Sequence, residues 1–214
     1  MCSSDLFAGL AHTPAQIAKV RELLDGKLDG LVIDADLRWS LLLSLVERGA
    51  ASHADVEAEL QRDNTLTGKH SYERCLAAFP EKEAKEKAFT TATADESISN
   101  WSRVSAMQGF LRPLHRDLTA PFIDRYFALI LDKYNNSSYE VSSKIVDLLY
   151  PAYNVSPEVL ATTEAWLNGA GKDGHPTLRR HVIEAKESLE RALKVRARSE
   201  EHTSELQSPC NLVC

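Results

Sequence analysis

The sequence predicts an all-α protein assembled from stacked helical hairpins, and three observations carry that prediction. Apolar residues recur at three- and four-residue spacing through nearly the whole chain, the mark of one buried face per helix. Capping residues, prolines and glycines punctuate that pattern at short intervals. No segment shows the strict alternation of a half-buried strand.

Thr13-Pro14 supplies an N-cap followed by proline at the first helical position. Ile17, Val20, Leu23 and Leu24 then form one apolar stripe, stopped by Gly26. Asp34 caps the next helix, in which Leu37, Leu41, Leu42, Leu45 and Val46 recur until Gly49. Trp39 and Leu43 widen that apolar face, so this helix is expected to be buried on two sides. Ser52 and Asp55 form a capping-box pattern opening a short helix with Val56 and Leu60 inward. Residues 65–79 and 81–91 flank Pro80 and read as an antiparallel pair.

Further on, residues 97–110 carry Ile98, Trp101, Val104, Ser105 and Met107 at helical spacing. Pro113 and Pro121 break the following stretch into a short helix and a longer one holding Phe122, Ile123, Tyr126, Phe127 and Ile130. Asn135-Asn136-Ser137 reads as a loop. Val141, Ile145, Leu148 and Leu149 make another stripe, ended by Pro151, and Ser156-Pro157-Glu158 opens a helix through Trp166 and Leu167. Pro176 starts the last helix, with Leu178, Val182, Ile183, Ala185, Leu189, Ala192 and Leu193 inward. Helix pairs at roughly 40-residue spacing fit a superhelical array of the HEAT/armadillo kind, although no repeated signature accompanies the spacing.

The ends follow a different logic. Residues 198–208 resemble the conceptual translation of a sequencing adapter, and residues 1–6 resemble the reverse-strand adapter. The expected organisation is therefore 7–197 as the protein domain, with 1–6 and 198–214 as adapter-like additions. Cys2, Cys210 and Cys214 fall in those ends, which leaves Cys75 alone and removes any disulfide or metal-knuckle reading. A lone cysteine fits a reducing, cytoplasmic location. Without Asp5, Glu200, Glu201, Glu205 and Arg198 the net charge is about −3, from 27 acidic and 24 basic residues. No basic face is present to attract nucleic acid. No apolar run approaches the roughly 20 residues needed to span a bilayer.

Candidate chemistry is sparse. A zinc peptidase needs H-E-x-x-H, which sets two imidazoles one turn apart on a helix with a carboxylate beside the first. That motif is missing, and no catalytic or metal-ligating residue is assigned. His181 and Glu184 share a helix face at i, i+3 and read as a solvated face, while His12, His53, His70, His115 and His175 are scattered and expected in loops or at the surface. The run Glu81-Lys82-Glu83-Ala84-Lys85-Glu86-Lys87 alternates sign as an exposed face does, with Lys85 expected in water. Basic residues of the last helix suit its C-terminal dipole. Cys75 reads as a buried structural thiol.

Asp34-Ala35-Asp36-Leu37-Arg38-Trp39 resembles the D-x-D-L-R-W helix start of bacterial aminopeptidase N C-terminal domains. Ala58-Glu59-Leu60-Gln61-Arg62-Asp63-Asn64-Thr65-Leu66-Thr67-Gly68 resembles the following helix and its turn, and Ala120-Pro121-Phe122-Ile123-Asp124-Arg125-Tyr126-Phe127 resembles the A-P-Y-x-x-R-Y-F segment. The structural signature carried by the resemblance is Asp34, Asp36, Arg38, Trp39, Arg62, Asp63, Gly68 and Arg125. Asp36 and Arg38 beside Trp39 are expected to pin neighbouring helices through a bidentate pair and an apolar anchor.

The resemblance implies the endoplasmic-reticulum-aminopeptidase-like C-terminal helical domain of a gluzincin. In that family zinc and the general base lie in an upstream catalytic domain, and the helical domain closes over them as a lid that admits peptide substrates. Partners implied are the N-terminal and catalytic domains of the same polypeptide. The alternative reading is an independent helical-repeat interaction module.

Overall fold

The computed structural model describes residues 13–27, 33–94 and 97–207, with side chains described up to residue 200. Every regular element among them is helical. The chain divides at Phe122 and Ile123 into two compact units.

The first unit runs α1 (Pro14–Leu24), α2 (Ala35–Val46), α3 (His53–Arg62), α4 (Leu66–Ala77), α5 (Lys82–Thr93) and α6 (Asn100–Phe110). A short 3₁₀ turn Pro113–His115, the single-turn α7 (Arg116–Thr119) and a second 3₁₀ turn Ala120–Phe122 follow. Local chemistry sets the starts. Thr13 and Gln16 close one capping box and Ser52 with Asp55 another, while Asp34, Thr65 and Ser99 each accept a backbone N–H from the first turn. Gly26 and Gly49 end α1 and α2 with φ of 71° and 65°, left-handed values that glycine adopts without strain.

Helix α2 packs against both α1 and α4, which buries it on two sides as its sequence predicts. Its Trp39, Leu41, Leu42, Leu45 and Val46 join Val20, Leu23 and Leu24 of α1 and Val56 and Cys75 of α3 and α4 in one apolar cluster. The most extensive helix pairing joins α4 to α6. It depends on Gly109, where a Cβ would sit 2.1 Å from the Arg74 carbonyl oxygen. Phe89, Phe110 and Phe122 fill the far side, with ring centroids 5.0–5.7 Å apart.

The second unit comprises α8 (Ile123–Asn136), α9 (Tyr139–Leu148), α10 (Pro157–Asn168) and α11 (Pro176–Gln207). Tyr126, fully buried, donates its hydroxyl to the Val146 carbonyl at 2.8 Å and meets Phe127 and Tyr150 edge-on. Leu178, Val182 and Leu189 of α11 complete this core.

Four expectations are corrected. Asn135 and Asn136 form the last turn of α8, and the break comes at Ser138, whose hydroxyl caps α9. Trp101 and Ile183 are 68% and 38% exposed; Trp101 keeps a stacking contact with His70 of α4, ring centroids 6.0 Å apart, but its helix leaves most of the ring uncovered. Lys85 has no exposed surface, since its helix is wedged between α4 and α6. His115 is buried as well, held in the turn after α6. Helix α11 carries its backbone through residues 198–207 of the expected tail, while residues 1–6 and 208–214 lie outside the described residues.

Candidate functional site

Four of the signature residues, Arg38, Trp39, Asp63 and Gly68, take part in a polar clasp in the first unit. Arg38, on α2, donates Nε and Nη2 to the two Glu59 carboxylate oxygens at 2.7 and 2.6 Å, and Nη1 to the Leu24 carbonyl at 2.8 Å. One guanidinium therefore ties the end of α1 to α2 and α3. Glu59 raises the Arg38 pKa further, and both side chains are largely shielded from water. The bidentate partner is thus Glu59 and not Asp36, which is exposed in the first turn of α2, where its charge suits the helix dipole. Asp34 accepts from the Leu37 N–H at 2.8 Å, as expected of a cap.

Trp39 supplies the second half of the clasp. Its ring is buried and its Nε1–H donates to Asp63 at 2.8 Å, while the other Asp63 oxygen accepts from the Thr65 hydroxyl at 2.7 Å. Those two donors, Thr65 first, hold the Asp63 carboxyl below its ordinary value. Gly68 lies against the same turn: its N–H reaches Thr65 Oγ1 at 3.0 Å, and a Cβ there would fall 2.0 Å from the Asp63 carbonyl oxygen. Arg62 stays 65% exposed, 3.9 Å from Glu59. Arg125 is exposed on α8 in the second unit.

A second buried polar group surrounds Glu47, the C-cap of α2. Its carboxylate accepts from Arg48 and Arg112 at 2.5 and 2.6 Å, and its carbonyl meets His115 Nε2 at 2.8 Å. Lys85 donates to the carbonyls of Ala77 and Gly109 at 2.6 and 3.2 Å, at the C-terminal ends of α4 and α6. Burial, and then repulsion from Arg112, pushes the Lys85 amine down to about 7. Burial lowers His115 as well, with Lys85 adding to the effect. Sequence alternation gave no sign of this group, because its contacts join residues far apart in the chain.

Neither cluster contains an accessible nucleophile beside a base. Cys75 is enclosed, and burial raises its thiol to about 12. His181, in the second unit, bonds Asp147 at 2.7 Å, and no group of three or more metal-ligating side chains converges among the described residues. The described residues therefore bring together no ligand set of the kind that a zinc centre uses. A groove of about 750 Å³ runs along α5, lined by the apolar Leu118, Pro121 and Phe122 and by Lys82, Glu86 and Asp117. No described helix is long and apolar enough to cross a membrane.

Residues 5–191 match the family model described as ERAP1-like C-terminal domain. The chain is similar to Aminopeptidase N of Streptomyces lividans, with 34% identity over 193 residues. That alignment covers 89% of this chain and 22% of the relative, so the chain spans about a fifth of the relative's length.

Proposed function

Because the chain belongs to the family of ERAP1-like C-terminal domains, as a C-terminal domain of the aminopeptidase N kind, we propose that it is the lid of a cytoplasmic zinc aminopeptidase. In this reading the chain shapes the entry of peptides and contributes no group to bond cleavage. Zinc, the general base and the recognition of the free α-amino group belong to the catalytic domain of the same polypeptide, outside this chain. The observation that carries the reading is the family match over residues 5–191, joined to a site made of helix clasps and not of catalytic groups. Those clasps suit a lid: Arg38, Trp39 and their partners fix three helices against one another, so that a wall next to a substrate chamber keeps its shape. An independent interaction module is the less favoured reading, since the match is to a domain of a larger enzyme.

Two measurements test the proposal. The chain incubated with aminoacyl-p-nitroanilides and zinc should release only background p-nitroaniline, and turnover abolished by a chelator would overturn it. The genomic DNA upstream of Phe7 should encode G-A-M-E-N and H-E-x-x-H in the same reading frame, and a stop codon there would favour the independent module.

A further inference from the structure

Arg74, on α4, is unlike the other guanidiniums of its unit. Arg21 reaches the Ala50 carbonyl, Arg38 holds Glu59, Arg48 and Arg112 share Glu47, and Arg103 meets the Ala92 carbonyl. Arg74 is half-buried, its Nε is occluded without an acceptor, and among the described residues no hydrogen bond or ion pair reaches its side chain. Burial lowers its pKa, and the neighbouring Arg112 adds to that effect. A cation so placed is partly stripped of water and has no counter-charge, a cost that a bound anion would offset.

One turn earlier on the same helix stands Ser71, whose hydroxyl also has no partner among the described residues. Ser71 and Arg74 line one cavity of about 220 Å³ with Trp39, Ser40, Leu43 and Asp36, floored by the neutral Cys75 thiol. The Trp39 N–H is already committed to Asp63, and the Ser40 hydroxyl donates to the Asp36 carbonyl. Arg74 and Ser71 are thus the unspent donors of this space. Asp36 lines the same cavity yet makes no ion pair with Arg74, and its exposed carboxylate is screened by solvent. At about 30 Å³ per water, the cavity holds a small oxyanion with a few waters. It falls below the roughly 300–1,000 Å³ typical of drug-sized ligand sites.

We propose that this cavity binds an oxyanion of the carboxylate or phosphate class, gripped by the Arg74 guanidinium with the Ser71 hydroxyl as second donor. A guanidinium presents parallel N–H groups that match two oxygens of either anion. The inference is independent of the lid reading, because it rests on the first unit's own side chains and would hold for an interaction module too.

The test follows the arginine Nε–Hε resonances of the ¹⁵N-labelled chain, with that of Arg74 assigned by its loss in Arg74→Gln. Acetate, inorganic phosphate and chloride are titrated separately at constant ionic strength. The expected result is a saturable shift of the Arg74 resonance with acetate or phosphate and none with chloride. Tighter saturation by acetate would point to a carboxylate on a peptide or protein segment, and tighter saturation by phosphate to the free ion. Ser71→Ala should weaken binding several-fold while circular dichroism stays helical. That variant keeps the test decisive if Arg74→Gln does not fold. A linear shift shared with chloride, or undiminished binding in Ser71→Ala, would overturn the proposal.

Discussion

Replacing Lys85 with methionine removes a buried amine while keeping most of its stem. In the folded protein the amine is pushed down to about 7 from an ordinary value of 10.5, chiefly by burial, with Arg112 adding and Glu47 opposing. Between those two values the unfolded chain binds a proton that the folded one does not. Stability therefore rises as pH climbs from about 7 towards 10.5, and below 7 the full cost of the buried charge is felt. At about 1.4 kcal/mol per unit, three units of pH set an upper bound of about 4 kcal/mol. Urea titrations of the native chain and Lys85→Met at pH 7 and pH 10 isolate this contribution, because other groups, including the Cys75 thiol at about 12, are common to both. The native chain should gain a few kcal/mol over the variant between the two pH values. Parallel pH profiles would show that Lys85 titrates as an exposed lysine, and the burial argument would fail.

Three further outcomes follow from the clasp. Gly68→Ala should lower the urea midpoint, with a loss of about 1–3 kcal/mol of stability, because its Cβ would sit 2.0 Å from a backbone oxygen that cannot move aside cheaply; an unchanged midpoint would refute the close approach. Trp39→Ala should cost about 3–5 kcal/mol through lost burial and a residual cavity, whereas Trp39→Phe should lose roughly 1–3 kcal/mol, with the Asp63 bond as its main part; equal midpoints for the two variants would contradict this. Glu59→Gln should cost about 3–5 kcal/mol by leaving Arg38 a shielded cation with a neutral partner. A double-mutant cycle with Arg38→Met should then show strong coupling, and additive effects would place the two side chains apart.

What the sequence revealed was mostly what is local. Thr13-Pro14, Asp34 and the Ser52–Asp55 box act within one turn of their own helix, so their caps were legible from neighbouring residues alone. The two-sided burial of α2 was equally legible, because Trp39 and Leu43 widen its stripe. The clasp was legible as a motif and misassigned as geometry. Arg38 and Glu59 are 21 residues apart, and nothing in their spacing distinguishes Glu59 from Asp36 as the partner. Lys85 was misread for a related reason. Its sign-alternating neighbours do face water, but the amine reaches carbonyls 8 and 24 residues away that only the α4, α5 and α6 packing brings together. His115 was hidden in the same way, since its partner Glu47 is 68 residues distant. Trp101 errs in the opposite sense: helical spacing marks a stripe, and only the neighbouring helix decides where the stripe stops being covered.

The lid proposal meets its most direct test in trans. The catalytic portion of the Streptomyces lividans relative, lacking the 22% of its length that aligns with this chain, would be mixed with the chain and assayed on a short peptide and on a folded protein with an accessible N-terminus. Binding should be measurable by sedimentation. The short peptide should remain a substrate, while removal of the folded protein's N-terminal residue should be suppressed only when the chain is present. No association, or identical cleavage of the folded protein with and without the chain, would contradict it.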